Sequence, residues 1–245
     1  MKNKTAISGL FCSTIKDVTL SRAAIAPSLL TVPDRLRHVR WLAGGTGSGK
    51  TTVAAALALR FDLDVYSGDR AEHDWLDRCS PAQHPRFAAH RSQRPGDMWR
   101  GRSAEQVFDA MASHHGETIE FVIEDLLAWS SDRTVLVDYY GLQPHDLAPL
   151  LSWPRQAAFL IPTAQFRRAT LSRRYTDPDR ARANWGDLDP AQVLETRLAR
   201  DALWDAEVTA QANALGLSLL TIDGSRPVEE TVNDLTERFR LDTTR

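Results

Sequence analysis

Lysine is scarce in this chain: four lysines, Lys2, Lys4, Lys16 and Lys50, stand among 245 residues against 26 arginines. Beyond Lys16 only Lys50 remains, and it closes a glycine-rich loop. Cysteine is scarcer still. Cys12 and Cys79 are the only two, too few for a disulfide framework or a thiolate zinc site. No apolar run approaches the roughly 18 residues that a membrane span requires. The net charge of −2 excludes the global basic field by which nucleic acids are gathered. These absences predict a cytoplasmic protein with neither membrane nor nucleic acid as partner, either monomer or homodimer.

The remaining sequence has the composition of one large α/β domain with an extension, 42% of its residues being hydrophobic. Residues 1–38 hold three of the four lysines and many hydroxyl side chains. They read as an N-terminal extension, loosely ordered or partly helical. From 39 to 240 short apolar runs alternate with longer helical patterns. Strands are expected at 39–43, 63–67, 134–138, 157–161 and 217–222. Helices are expected at 51–60, 70–78, 104–111, 118–129, 144–151, 165–175, 190–215 and 227–239, with 79–102 and 176–189 irregular. Such alternation implies a five-stranded, mostly parallel sheet with helices on both faces, a three-layer α/β fold. Ligands of such sheets bind at the carboxyl ends of the strands, where Gly44, Asp69, Asp138, Thr163 and Asp223 fall.

The loop Gly44-Gly45-Thr46-Gly47-Ser48-Gly49-Lys50-Thr51 satisfies G-x-x-x-x-G-K-[ST] between an apolar run and a helical one. Its glycines let backbone N–H groups converge, and the following helix adds its positive end. Gly45, Thr46, Gly47, Ser48, Gly49 and Thr52 are expected to surround the phosphates of a nucleoside triphosphate. Lys50 would reach the β- and γ-phosphates as a point charge on a flexible stem. The Thr51 hydroxyl would ligate Mg²⁺, and Asp138, ending the run 134–138, is a second candidate for that ion. A guanine-binding Asn-Lys-x-Asp element needs a lysine after residue 50, and none exists, which turns the expectation toward ATP.

From Val39 to Arg70 (strand, loop, helix, strand, then Ser67-Gly68-Asp69-Arg70) the sequence resembles the P-loop kinases of small substrates. That group includes nucleoside monophosphate kinases, shikimate and gluconate kinases, chloramphenicol phosphotransferase and zeta-type toxins. The segment Phe166-Arg167-Arg168-Ala169-Thr170-Leu171-Ser172-Arg173-Arg174 resembles their lid, placed here at 163–188. The stretch from Ile222 to Glu230 is similar to the loop they fold against adenine, which makes Asp223 and Arg226 cofactor candidates. The resemblance implies that Asp69 takes the proton from an acceptor hydroxyl. It further implies that Arg168 and Arg174 screen the transferring phosphoryl group, with Arg167 at the nucleotide. Residues 70–130 match no member and would form the acceptor-binding insert.

Several residues remain open on sequence alone. Arg197 and Arg200 are weaker cation candidates, with Glu195 and Asp201 as surface partners. Glu124 and Asp125 either lie on an exposed face or receive substrate. Tyr139 and Tyr140 either line the acceptor site or pack the core, while Trp75, Trp99 and Arg102 fall in the insert. His73, His84, His90, His114 and His115 lack metal-ligand spacing and read as surface residues. The expected activity is ATP- and Mg²⁺-dependent phosphoryl transfer to a hydroxyl of a small metabolite, nucleoside or antibiotic. The alternatives are a nucleoside monophosphate kinase, a zeta-like kinase of nucleotide sugars, and a non-catalytic NTP-binding regulatory module.

Overall fold

Alternation along the strands decides which helices cover which face. In the computed structural model, which describes residues 30–130 and 132–241, a short helix α1 (Val32–Arg35) leads into strand β1 (Val39–Gly44). Val39, Trp41 and Ala43 of β1 face one core and Leu42 the other. Helix α2 (Lys50–Phe61) follows the glycine loop, then β2 (Asp64–Ser67), α3 (Gly68–Arg78), α4 (Pro85–Ala89), α5 (Ala104–Asp109) and α6 (Ile119–Ala128). Strand β3 (Val135–Asp138), α7 (Pro144–Leu147), β4 (Ala157–Pro162), α8 (Ala164–Arg174), α9 (Pro178–Trp185), α10 (Pro190–Leu215), β5 (Ser218–Ile222) and α11 (Val228–Phe239) complete the chain.

The five strands run parallel in the order β2-β3-β1-β4-β5. Leu42 pairs with Asp138 and Ser67 with the same residue, so β2 and β3 end level and β1 runs on past them to Gly44. The chain leaves β1 first toward β3 and β2 and later toward β4 and β5. A crevice opens at the carboxyl ends where that direction reverses.

One face of the sheet packs Leu42, Leu136, Ala158 and Leu160 against Val53 and Leu57 of α2 and Val232, Leu235 and Phe239 of α11. The other packs Trp41, Val137 and Phe159 against Trp75 of α3, Phe121 of α6 and Trp204 and Val208 of α10. Trp75 is fully buried and stacks on Phe121 with ring centroids 5.6 Å apart. A third cluster joins Trp99 and Val107 to Ala181 and Trp185 of α9 and Val193 of α10. This last cluster ties the 94–108 segment to α9 and roofs the crevice.

Two stretches expected to be irregular contain helix. Residues 85–92 form α4 and a following 3₁₀ turn. Residues 178–185 form α9, whose start is fixed by Asp177 accepting from Asp179 N and Arg180 N. The expected helix 144–151 is instead one α turn followed by 3₁₀, with Pro149 inside it. The expected N-terminal extension lies outside the described residues up to position 29, as does Cys12; Cys79 is buried with a free thiol. No helix among the described residues is long and apolar enough to cross a membrane.

Candidate active site

The glycine loop joins the last residue of β1 to the first of α2. Gly47 and Gly49 take φ of 79° and 85°, a region that side chains disfavour. The loop therefore curls its backbone around the α2 N-terminus. Lys50 folds back over it, donating to Gly44 O at 3.1 Å and Gly45 O at 2.9 Å. Burial pushes its pKa down, against the pull of Asp138, Asp69, Asp205 and Asp201. Gly45 does not join the cradle: its N–H donates to Leu160 O at 2.9 Å, in the manner of a sheet residue.

Two cavities meet over this loop. The larger, about 590 Å³, is lined by Lys50 and Thr51, by Asp69 and Glu72 of α3, by Asp138, and by Tyr140. Its far wall and roof carry Trp99, Arg174, Arg197, Arg200 and Asn184. The second, about 470 Å³, runs between Phe166 and Thr170 of α8 and the residues Ile222, Gly224 and Val228. Gly47, Gly49, Thr52 and Arg174 border both. Asp138 shares the parity of Leu136, which points to the α2 face; its carboxylate thus meets the start of α2, where Lys50 and Thr51 stand.

Asp69 sits in the first turn of α3, exposed to solvent, and borders the larger cavity. Burial raises its pKa, Asp138 adds to the rise, and Lys50, the Tyr140 backbone and Arg174 oppose it. Glu72, one turn along, accepts from the Tyr139 hydroxyl at 2.7 Å. Burial pushes Glu72 up to about 7, helped by Asp69 and resisted by Tyr139. No cation pairs with it among the described residues. Since this folded value lies above the ordinary carboxylate range, stability falls as pH rises from about 4.5 to 7 and stays low above. Glu72→Gln should therefore raise Tm at pH 8 more than at pH 4, as scanning calorimetry at the two pH values would register.

The arginines divide by direction. Residues seven apart on a helix return to within about 20° of one face, whereas residues six apart diverge by about 120°. Arg174 reaches both cavities, and Arg167, seven positions before it, points inward on the same side. Arg168 points away. It is exposed and pairs with Glu195 through both guanidinium nitrogens; the expected catalytic position is not where it lies. Arg167 is 3% exposed and spans from Asp205 on α10 to Thr46 O at 3.3 Å. Its guanidinium braces the loop from behind and borders neither cavity. Arg167→Met would strand the buried Asp205 carboxylate and is expected to cost about 3–5 kcal/mol, measurable by urea denaturation.

The Asp223 carboxylate closes a turn, accepting from Ser225 N at 2.9 Å and Ser225 Oγ at 2.6 Å, and does not border the second cavity. Arg226 borders that cavity but is exposed and paired with Glu230 at 2.7 Å and Asp234 at 3.0 Å. Glu124 and Asp125 face away from both cavities. Asp125 accepts from Tyr66, Trp75 Nε1 and Arg78, leaving no room for substrate. Arg200 and Asp201 are buried rather than on the surface, 6% and 1% exposed, and pair at 2.8 Å. His84 is buried too, accepting from Ser80 N and paired with Glu120, and His90 borders the larger cavity.

Sequence reasoning missed Glu72, Arg180 and Phe166. The i, i+3 spacing of Asp69 and Glu72 was a usable signal for the first. For Arg180, which borders the second cavity from α9, there was none, because α9 itself went unread.

The residues present fit a nucleotide and Mg²⁺. The Ser48 hydroxyl is buried beside the second cavity without a partner, and two of the three Lys50 N–H donors are satisfied by backbone carbonyls. Thr51 and Asp138 supply two hard oxygens. No cluster of three His, Cys, Asp or Glu stands ready for a metal among the described residues. Mg²⁺ in nucleotide sites leans on substrate phosphates and needs only one or two protein oxygens.

No family model matches the chain and no curated protein does. Among solved structures it is similar to a shikimate kinase from Bacteroides thetaiotaomicron, at 14% identity and a TM-score of 0.46, over 83% of this chain and 98% of that one. It is similar to a sugar kinase from a Janibacter species, at 20% identity and a TM-score of 0.40, over 84% and 96%. An uncharacterised protein from Eubacterium ventriosum shares 12% identity over 82% and 97%, with a TM-score of 0.38. TM-scores of 0.46 and below carry no argument for substrate or residue roles.

Proposed function

We propose that the protein transfers the γ-phosphoryl group of ATP to a hydroxyl of a small molecule. The observation that carries this reading is the meeting of two cavities over the glycine loop, with Asp69 bordering only the larger. The second cavity, bordered by Phe166, Thr170, Ile222 and Val228, suits a purine ring, and the loop between the cavities suits its phosphates. The larger cavity then receives the acceptor.

In this reading the loop N–H groups and the Lys50 ammonium hold the β- and γ-phosphates. Thr51 and Asp138 would hold Mg²⁺, which when bound neutralises phosphate charge. Asp69 orients the acceptor hydroxyl and removes its proton as the phosphorus–oxygen bond forms. Arg174, bordering both cavities, stabilises negative charge on the group in flight. The raised pKa of Asp69 suits the base, since desolvation makes its carboxylate more basic than one in water. Arg174, Arg197 and Arg200 line one wall, which disfavours polycationic acceptors such as aminated antibiotics.

The test is ADP release from ATP and Mg²⁺ across a panel of sugars, polyols, nucleosides, nucleotides and antibiotics. Release above the water background with at least one acceptor supports transfer. Release unchanged by every acceptor sinks it and favours a hydrolytic switch or regulatory module.

A further inference from the structure

Glu72 is used by no step above, yet it borders the acceptor cavity at a cost to stability. Asp69 and Glu72 lie three residues apart on α3, so their Cβ atoms stand about 5–6 Å apart on one helix face. Both line the same cavity. The Tyr139 hydroxyl fixes Glu72 Oε1 at 2.7 Å, and Tyr139 is itself immobile. It is 1% exposed and stands edge-on to Trp75 with centroids 5.5 Å apart. A Cβ at Gly68 would overlap its ring, and one at Gly141 would meet its hydroxyl at 2.5 Å. Two glycines thus make room for an aromatic post that holds one carboxyl oxygen in place. The second oxygen of Glu72 has no protein partner among the described residues. A partly buried acid kept without a counter-ion, beside a candidate base, is a recognition group awaiting a neutral polar ligand.

We propose that Glu72 is a specificity-determining residue and that the acceptor is a diol, its reacting hydroxyl at Asp69 and the neighbouring hydroxyl at Glu72. The spacing suits hydroxyls on adjacent carbons, or one carbon further apart. A carboxyl group near half-protonation can accept from such a hydroxyl or donate to it. The cationic wall of Arg174, Arg197 and Arg200 argues against an amine at the same place. This inference rests on the larger cavity being the acceptor site, as proposed above.

The experiment compares cis-cyclohexane-1,2-diol, cyclohexanol and cis-2-aminocyclohexanol with the full chain. Dissociation constants come from ligand-observed NMR titration, and ADP release is followed in parallel. Wild type is expected to prefer the diol over cyclohexanol by about 10- to 100-fold, the effect of one hydrogen bond to a charged or partly charged group. Glu72→Ala should bring that preference close to unity. Glu72→Gln, which keeps the shape and still accepts from Tyr139, should retain part of it and guards against misfolding as the explanation. An absent preference in wild type, its survival in Glu72→Ala, or a stronger preference for the amine overturns the inference. Diol preference without ADP release would keep the pocket assignment and remove phosphoryl transfer. ADP release without diol preference would do the reverse.

Discussion

Replacing Asp69 by Asn is expected to lower acceptor-dependent ADP release by about 10²- to 10⁴-fold, the usual contribution of a positioned general base, while nucleotide binding persists. The two effects separate because Asp69 borders the larger cavity and not the second. The substitution removes one negative charge beside Lys50 and Asp138, so affinity for ATP should hold or improve. The pH profile provides an independent readout. A base must be ionised, and burial holds the Asp69 carboxyl above its ordinary value. The wild-type rate should therefore rise with pH along a limb displaced upward from the ordinary carboxylate range. In the Asn variant that limb should vanish and the residual rate become flat. Acceptor turnover equal to wild type, or an acid limb that survives, would remove Asp69 from the role of base.

What the sequence revealed and what it hid divide along a physical line. The glycine loop was legible because its function needs particular residues at fixed spacing in one stretch of backbone. The parallel sheet was legible because β1, β3 and β4 are buried on both faces and so read as apolar runs. Helix α10 was legible from its capping Asp189 to its terminal Gly216. Helix α9 was not, because it buries only Ala181 and Trp185, one turn apart, amid charged neighbours. Its helical state depends on packing against Trp99 and Val107, distant in sequence. The arginine cluster was visible as a cluster, but the role of each member depends on partners it meets only after folding. Arg167 finds Asp205, 38 residues away, and Arg168 finds Glu195, 27 away. Arg174 is left facing the cavity. Glu72 was only half legible: its i, i+3 spacing puts it on one face with Asp69, but Tyr139, the group that fixes it, is 67 residues further on.

Lys50→Met is expected to lower kcat by at least about 10²- to 10³-fold, the effect of deleting one preorganised donor to developing charge, without lowering Tm. The opposite signs follow from one fact. The Lys50 ammonium is 8% exposed, and burial depresses its pKa despite four carboxylates that act to raise it. A cation so placed is a burden to the folded state without phosphate. Methionine keeps the length and apolar volume of the stem, and the buried carbonyls of Gly44 and Gly45 lose their donor at a cost smaller than that of the buried charge. Stability should accordingly be unchanged or improved in calorimetry without nucleotide. Added ATP and Mg²⁺ should raise the Tm of wild type far more than that of the variant, because linkage scales with affinity. Lys50→Arg should not rescue the rate, since a planar fork cannot enter the space that a single ammonium occupies beneath the loop. A Tm that fell together with the rate would make Lys50 a structural clasp of its own loop; a rate that held would take phosphoryl transfer away from this site.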